Sequence, residues 1–266
     1  MLDDAERFDL HLHTTRSDGG VTEEALLLLA GQRRLDAIAI TDHDQAPTLA
    51  SGLHDVAGHP VWLIHGAEVS AIHEGREIHV LAFFPGEVPD AFRAFLAGRI
   101  AERRERYVAT RSAFGLATAD DTEGRAWTRF HLAQDLVEAG LVHNMSAAFA
   151  GPLRLGPFGV PLPDAIHQID DAGGLAVWAH PNPDDAPRWA KDFRRVGMWG
   201  LESARPGLGK AVRGRLHGIA HKAGLGITGG SDWHARGGDL GVFSFPRREA
   251  RPFLQALAAR GSRSPA

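Results

Sequence analysis

Near the start of the chain, Asp9-Leu10-His11-Leu12-His13 alternates polar and apolar residues with a period of two. That period belongs to a β-strand, so Asp9, His11 and His13 share one face and Phe8, Leu10 and Leu12 the other. Two imidazoles on one strand face stand about 6–7 Å apart at the backbone, close enough for both rings to reach one ion at about 2.1 Å. Asp232-Trp233-His234 repeats the spacing with mixed donors. Gly229 and Gly230 before it permit close backbone approach. Between these two motifs lie Asp18, His43, Glu68, His79 and His180. Carboxylates can bridge ions, so Glu68 and Asp232 raise the prospect of more than one metal. Two ions about 3.5–4 Å apart can activate water and clamp the oxygens of an in-line displacement at phosphorus.

Composition supports this emphasis. The chain has 266 residues with 15 His, one Tyr and no Cys. Imidazole is the commonest protein metal ligand and the usual acid or base near neutral pH. Without cysteine there can be neither disulfides nor thiolate sites, and any metal must be held by nitrogen and oxygen. A formal charge of −4 argues against indiscriminate nucleic-acid binding through an overall basic surface. The acidic first residues lack the layout of a signal peptide, and the longest aliphatic run, residues 25–30, cannot span a bilayer. A soluble, cytoplasmic protein is expected, with no membrane association and no obligate protein partner implied.

The elements that must position these donors are legible in outline. Thr22 reads as the N-cap of a helix running to about Arg34, with Glu23 and Glu24 favourably placed in its first turn. Ala37–Ile40 is apolar on both faces, as befits a buried strand. Val61–Ile64 leads into Gly66-Ala67-Glu68-Val69, and Ile78–Phe84 is expected to pair with it across a turn near Glu74-Gly75. Leu175–Trp178, Met198–Leu201 and Leu225–Thr228 complete the strands, with helices near 164–172, 208–223 and 247–260. Such alternation means a parallel sheet, open or closed into a barrel. The donors fall at or just after strand ends, on the rim where barrel active sites are built. Residues 90–164 break the rhythm with helices at 91–114 and 130–139, a helical insertion or cap between barrel segments 1–89 and 165–260.

At these positions the sequence resembles the PHP (polymerase and histidinol phosphatase) family. The matching motifs are Asp9-Leu10-His11-Leu12-His13-Thr14 with Ser17-Asp18-Gly19, Ile40-Thr41-Asp42-His43, Gly66-Ala67-Glu68, Ile78-His79, Ala179-His180-Pro181 and Gly230-Ser231-Asp232-Trp233-His234. The resemblance implies an α/β fold, a distorted (β/α)7 TIM-like barrel, and two or three divalent ions, for which Mn, Fe or Zn suits the donors. It implies that His11, His13, Glu68 and Asp232 hold a first ion, that Glu68 bridges to a second bound also by His79 and His180, and that Asp18, His43 and His234 hold a third. The expected chemistry is phosphoester hydrolysis, with Asp232 and His234 in the catalytic set.

The insertion points to a branch. Arg129-Phe130-His131 through Val137-Glu138-Ala139-Gly140 is similar to a segment of PHP proteins acting on nucleoside 3′,5′-bisphosphates and on the 5′ ends of short RNA. Phe130 replaces the proline often seen there, and Thr128 stands where glycine is usual. The resemblance makes Arg129 and His131 the candidates for binding substrate phosphate, with His131 also a candidate donor to the leaving alkoxide. A histidinol-phosphate-type phosphomonoesterase, a non-catalytic metal-binding module and a hydrolase acting at carbon are the alternatives.

Simpler readings stand beside these. Taken alone, His11 and His13 form a chance surface pair, Asp18 an ordinary turn residue, His79 a core histidine and His180 a strand end. Asp42 reads as a support for a ligand rather than a ligand itself. Arg99, Arg103, Arg104, Arg106 and Arg111 read as a solvated helix face, and Trp233 as packing against the rim. The remaining histidines, His54, His59, His65, His73, His143, His167, His217 and His221, read as surface or structural.

Overall fold

The computed structural model describes residues 2–117 and 124–262. Its strands are β1 (Arg7–Leu12), β2 (Ala37–Ile40), β3 (Gly52–Val56), β4 (His59–His73), β5 (Arg76–Phe84), β6 (Val160–Pro161), β7 (Leu175–Trp178), β8 (Gly200–Ala204), β9 (Gly226–Gly229) and β10 (Phe245–Pro246). The α-helices are α1 (Glu23–Gln32), α2 (Asp90–Ala113), α3 (Arg129–Glu138), α4 (Met145–Ala150), α5 (Leu162–Asp171), α6 (Ala186–Arg195), α7 (Lys210–Ala223) and α8 (Arg247–Gly261).

The staves run in the order β1-β2-β4-β5-β7-β8-β9, all parallel except β5, which is antiparallel to both its neighbours. The ring closes without a full ladder. Asp232 N–H donates to the His11 carbonyl at 2.9 Å, and His13 N–H donates to the Trp233 carbonyl at 3.1 Å. The buried Asp9 carboxylate accepts the Ser231 N–H at 2.7 Å. Gly230 makes this approach possible, since a Cβ there would stand 2.3 Å from the His11 Cβ. The fold is therefore the distorted α/β barrel that the sequence implies. α8 lies across the opposite mouth, where Phe253 and Leu257 pack with Phe8, Phe83 and Leu175.

The reversed strand has a consequence for the rim. β4 and β5 form one hairpin, turned at Glu74 (φ 48°) and Gly75 (φ 72°), the positive-φ pair that a tight hairpin turn requires. β5 therefore starts where the parallel strands end. His79, near the beginning of its strand, reaches the same rim as donors that follow strand ends.

The long helix α2 joins two cores. Its first half puts Phe92 and Leu96 into the barrel core, while Tyr107 packs with Leu132, Leu136 and Ala148 of α3 and α4. Its arginines are only in part the solvated face expected from the sequence, since Arg104 is exposed and Arg106 and Arg111 are half-buried. Arg99 and Arg103 are buried. Arg99 pairs with Glu102. Arg103 donates through Nε to Asp44 Oδ2 at 2.6 Å and through Nη2 to the Ser70 hydroxyl at 2.7 Å, tying α2 to the barrel rim. An arginine can enter a buried contact when a carboxylate waits there, and Asp44 lies 59 positions away in sequence. Among the described residues no helix is long and apolar enough to cross a membrane.

Candidate metal centre

The donors arrive from several separate strands of the barrel. His11 lies in β1 and His13 just beyond it. His43 follows β2, and its backbone bridges to Glu68 of β4. His180 follows β7, and Asp232 and His234 follow β9. Asp18 comes from the loop after β1. Asp42 shapes that loop, accepting the Thr14 N–H at 2.8 Å, the Thr14 hydroxyl at 2.6 Å and the Ser17 hydroxyl. Asp42 thus spends its oxygens on the backbone and hydroxyls that present Asp18. His180 (φ 29°) and Asp232 (φ 55°) adopt backbone conformations uncommon for residues with a side chain. Such strain persists when surrounding structure holds it, and here it aims two donors inward.

The donor atoms converge in three overlapping groups. In the first, His11 Nε2 and His13 Nε2 are 3.1 Å apart. Glu68 Oε2 lies 3.4 Å from His11 and 3.3 Å from His13, and Asp232 Oδ1 lies 3.5 and 3.3 Å from the same two nitrogens. Donors bound at about 2.1 Å to one ion stand about 3.0 Å apart at right angles and about 3.4 Å apart at tetrahedral angles. In the second, the other Glu68 oxygen, Oε1, is 2.9 Å from both His79 Nδ1 and His180 Nε2. In the third, Asp18 Oδ1 is 3.2 Å from His234 Nε2 and 3.8 Å from His43 Nε2. His43 Nδ1 also lies 3.0 Å from Glu68 Oε2, linking the groups.

These residues fit divalent cations. Asp18 Oδ1, His43 Nδ1 and Glu68 Oε2 are buried without a hydrogen-bond partner, although each faces the cluster. Leaving such atoms unsatisfied is unfavourable, and a cation among them would satisfy them together. The donors are all nitrogen and oxygen, the set that suits Mn, Fe or Zn.

The electrostatics are those of a site built around positive charge. Burial opposes ionisation of Glu68, but His43, His79 and His11 outweigh it and hold the carboxyl well below its ordinary value. Asp18 is lowered in the same way against its own burial, chiefly by His43 and His234. In return, despite burial, His13 is raised to about 10 by Asp232 and Glu68. His79 also rises to about 10, through Glu68 and Glu77. Without a metal, protons substitute for cations on these imidazoles, and metal binding must expel them.

Supporting contacts reveal residues absent from the sequence reading. Glu202, buried in β8, places Oε1 3.2 Å from His11 Nδ1 and accepts the His180 N–H on Oε2 at 2.8 Å. Glu77 Oε1 is 3.2 Å from His79 Nε2, the ring nitrogen turned away from Glu68. Such carboxylates fix the tautomer and orientation of ligating rings. A carboxylate at a strand end was the available signal for Glu202; Glu77 carried none beyond being two residues from His79.

Helix α3 and its N-cap supply the remaining candidates. Thr128 caps α3 and donates its hydroxyl to Asp18 Oδ2 at 3.0 Å. His131 completes the capping box, its Nδ1 accepting the Thr128 N–H at 3.1 Å. Burial, with Arg125 and Arg236 nearby, holds the His131 ring down to about 4 against the pull of Asp18. Arg129 is partly exposed, 3.7 Å from Glu77. A 180 Å³ cavity runs from Asp18, His43 and His79 to Arg106, Arg129 and the ring of Phe158.

A barrel rim with this donor cluster defines a metal-dependent phosphoesterase. The PHP domain model matches residues 9–160, and the chain belongs to that family. It is 32% identical over 250 residues to the 5′-3′ exoribonuclease Rnm of Escherichia coli, covering 85% of each chain. It is 32% identical over 279 residues to the 3′,5′-nucleoside bisphosphate phosphatase of Chromobacterium violaceum, covering 95% of this chain and 96% of that one. A solved structure described as a metal-dependent phosphoesterase, from Bifidobacterium adolescentis, superposes with a TM-score of 0.75 at 27% identity, covering 94% and 96% of the two chains.

Proposed function

We propose that this chain hydrolyses phosphate esters of nucleotides, either nucleoside 3′,5′-bisphosphates or the 5′ ends of short RNA, with two or three Mn, Fe or Zn ions and in the cytoplasm. In this reading His11, His13, Glu68 and Asp232 hold the first ion. Glu68, His79 and His180 hold the second, and Asp18, His43 and His234 the third. Ions so held supply Lewis acidity toward phosphoryl oxygens and activation of water.

One observation carries the substrate class: the cavity that begins at the donors Asp18, His43 and His79 continues between arginines and aromatic rings. Arg103, Arg106 and Arg129 line it together with Trp127, Phe130 and Phe158. Paired, charge-assisted hydrogen bonds from guanidinium suit phosphate, and flat rings suit a nucleobase. Arg129 binds the phosphate from beside Glu77 and His79. His131, with Nδ1 committed to Thr128, keeps its proton on Nε2 and stays neutral near pH 7. It acts as a hydrogen-bond donor and holds Thr128 against Asp18.

The same lining disfavours a histidinol-phosphate-type substrate. An ammonium group would meet three arginines and, among the lining side chains, only the carboxylates of Asp18 and Glu77. The test is a turnover panel on metal-loaded protein with adenosine 3′,5′-bisphosphate, a short 5′-phosphorylated RNA and histidinol phosphate. Phosphate or nucleotide release from the first two is expected. Turnover of histidinol phosphate alone would sink the proposal, and activity confined to amides or lactones would move the chemistry to carbon.

A further inference from the structure

The loop after β9 contributes a charge that neither the donor set nor the arginine-lined cavity uses. Arg236 lies two residues beyond His234, and its guanidinium carbon sits 3.0 Å from the centroid of the Phe130 ring. Guanidinium stacks readily on an aromatic face, which fixes its plane while leaving the N–H edge free for an acceptor. Arg129 and Arg103 are matched to Glu77 and Asp44, whereas Arg236 pairs with no carboxylate among the described residues.

The backbone around Arg236 is held on both sides. Gly20 N–H donates to the His234 carbonyl at 3.0 Å, and the Trp233 indole donates to the Gly238 carbonyl at 3.1 Å. The charge is therefore presented at a set place. That place is a boundary. Phe130 lines the 180 Å³ cavity with Asp18, His43 and His79. Arg236 lines a separate open groove of 750 Å³ with Asp232, Trp233 and His234. Both spaces reach the donor cluster, one from the insertion side and one from the β9 side. A substrate with one phosphate at the donors has room on the second side for another, where a guanidinium waits that feels Asp18 through space but is held in no ion pair.

We propose that Arg236, stacked on Phe130 between these two spaces, is a specificity-determining residue that binds a second phosphate of the substrate, one that is not being hydrolysed. This rests on the nucleotide reading above and extends it, because it separates substrates with two phosphates from simple monoesters. A planar guanidinium reads phosphate through parallel hydrogen bonds that a point charge reproduces only in part.

The experiment compares kcat/KM for adenosine 3′,5′-bisphosphate with that for p-nitrophenyl phosphate in metal-loaded wild type, Arg236→Ala, Arg236→Lys and Phe130→Leu, with metal content measured alongside. In Arg236→Ala the ratio of the two values falls by about tenfold to a hundredfold, the range for losing a hydrogen bond to a charged group. Arg236→Lys recovers part of the loss, and Phe130→Leu, lacking the platform, shifts the ratio in the same direction. A ratio within about twofold of wild type in Arg236→Ala overturns the inference. So does an equal fall on both substrates or a loss of metal, either of which would mark a structural role. Wild type that turns over p-nitrophenyl phosphate but not the bisphosphate overturns the nucleotide reading and this inference together.

Discussion

His11 and Glu202 stand 191 positions apart in the chain, yet the Nδ1 of one lies 3.2 Å from a carboxylate oxygen of the other. The contact leaves the His11 Nε2 facing His13, Glu68 and Asp232. The second oxygen of Glu202 holds the His180 backbone, so one buried carboxylate orders two donors, one from β1 and one from the loop after β7. Glu202→Gln keeps the shape and removes the charge. Metal affinity is expected to fall by about tenfold to a hundredfold, as for other carboxylates behind ligating histidines. Titration of the chelator-stripped variant with Mn measures it, and affinity equal to wild type would show that Glu202 is only packing.

Glu68 divides its two oxygens between groups, Oε2 facing His11, His13 and His43 and Oε1 facing His79 and His180. Glu68→Gln removes the shared charge, whereas His79→Ala removes a donor from one group only. Elemental analysis after metal loading should find Glu68→Gln depleted by more equivalents than His79→Ala. Equal loss in the two variants would argue against a shared carboxylate.

Arg103 and Asp44 form a buried ion pair between α2 and the loop after β2. Arg103→Met leaves the Asp44 charge and the Ser70 hydroxyl without their partner, and is expected to destabilise the fold by about 3 kcal/mol or more. Adding Asp44→Asn should recover part of that stability, because the orphaned charge is gone. Urea unfolding of the two variants decides it; a double variant no more stable than Arg103→Met would show that the charge is not the cause.

His131, which belongs to none of the three donor groups, gives a pH dependence of its own. Its ring is held down to about 4 in the folded protein, from an ordinary value of 6.5. Between these values the unfolded chain takes up the proton first, so the contribution of neutral His131 is complete above about pH 6.5 and is lost as pH falls toward 4. The difference is worth on the order of 3 kcal/mol at most. His131→Gln retains a residue suited to the capping box and does not titrate. In metal-free protein, the stability advantage of wild type over His131→Gln should shrink from pH 7 to pH 4, and a constant difference would contradict the buried, neutral ring.

Much of this molecule is present in its order of residues. Period-two alternation sets His11 and His13 on one strand face whatever surrounds them, and the absence of cysteine restricts ligation to nitrogen and oxygen. Apolar runs mark the barrel strands because those strands are covered on both sides. Even α6, absent from the sequence reading, was legible in principle: Ala186, Trp189, Ala190 and Phe193 are buried at helical spacing. Strand β3 was not, since its half-exposed residues carry no apolar pattern and it exists by pairing with β4. Tertiary structure alone decided the rest. Glu202 met His11, Arg103 found Asp44 and Thr128 met Asp18, whereas the hairpin that brings His79 to the common rim was already legible in the turn at Glu74-Gly75. Local pattern reports which face a side chain occupies. Which charges meet across a barrel depends on how distant strands register, and that is settled only when the chain closes on itself.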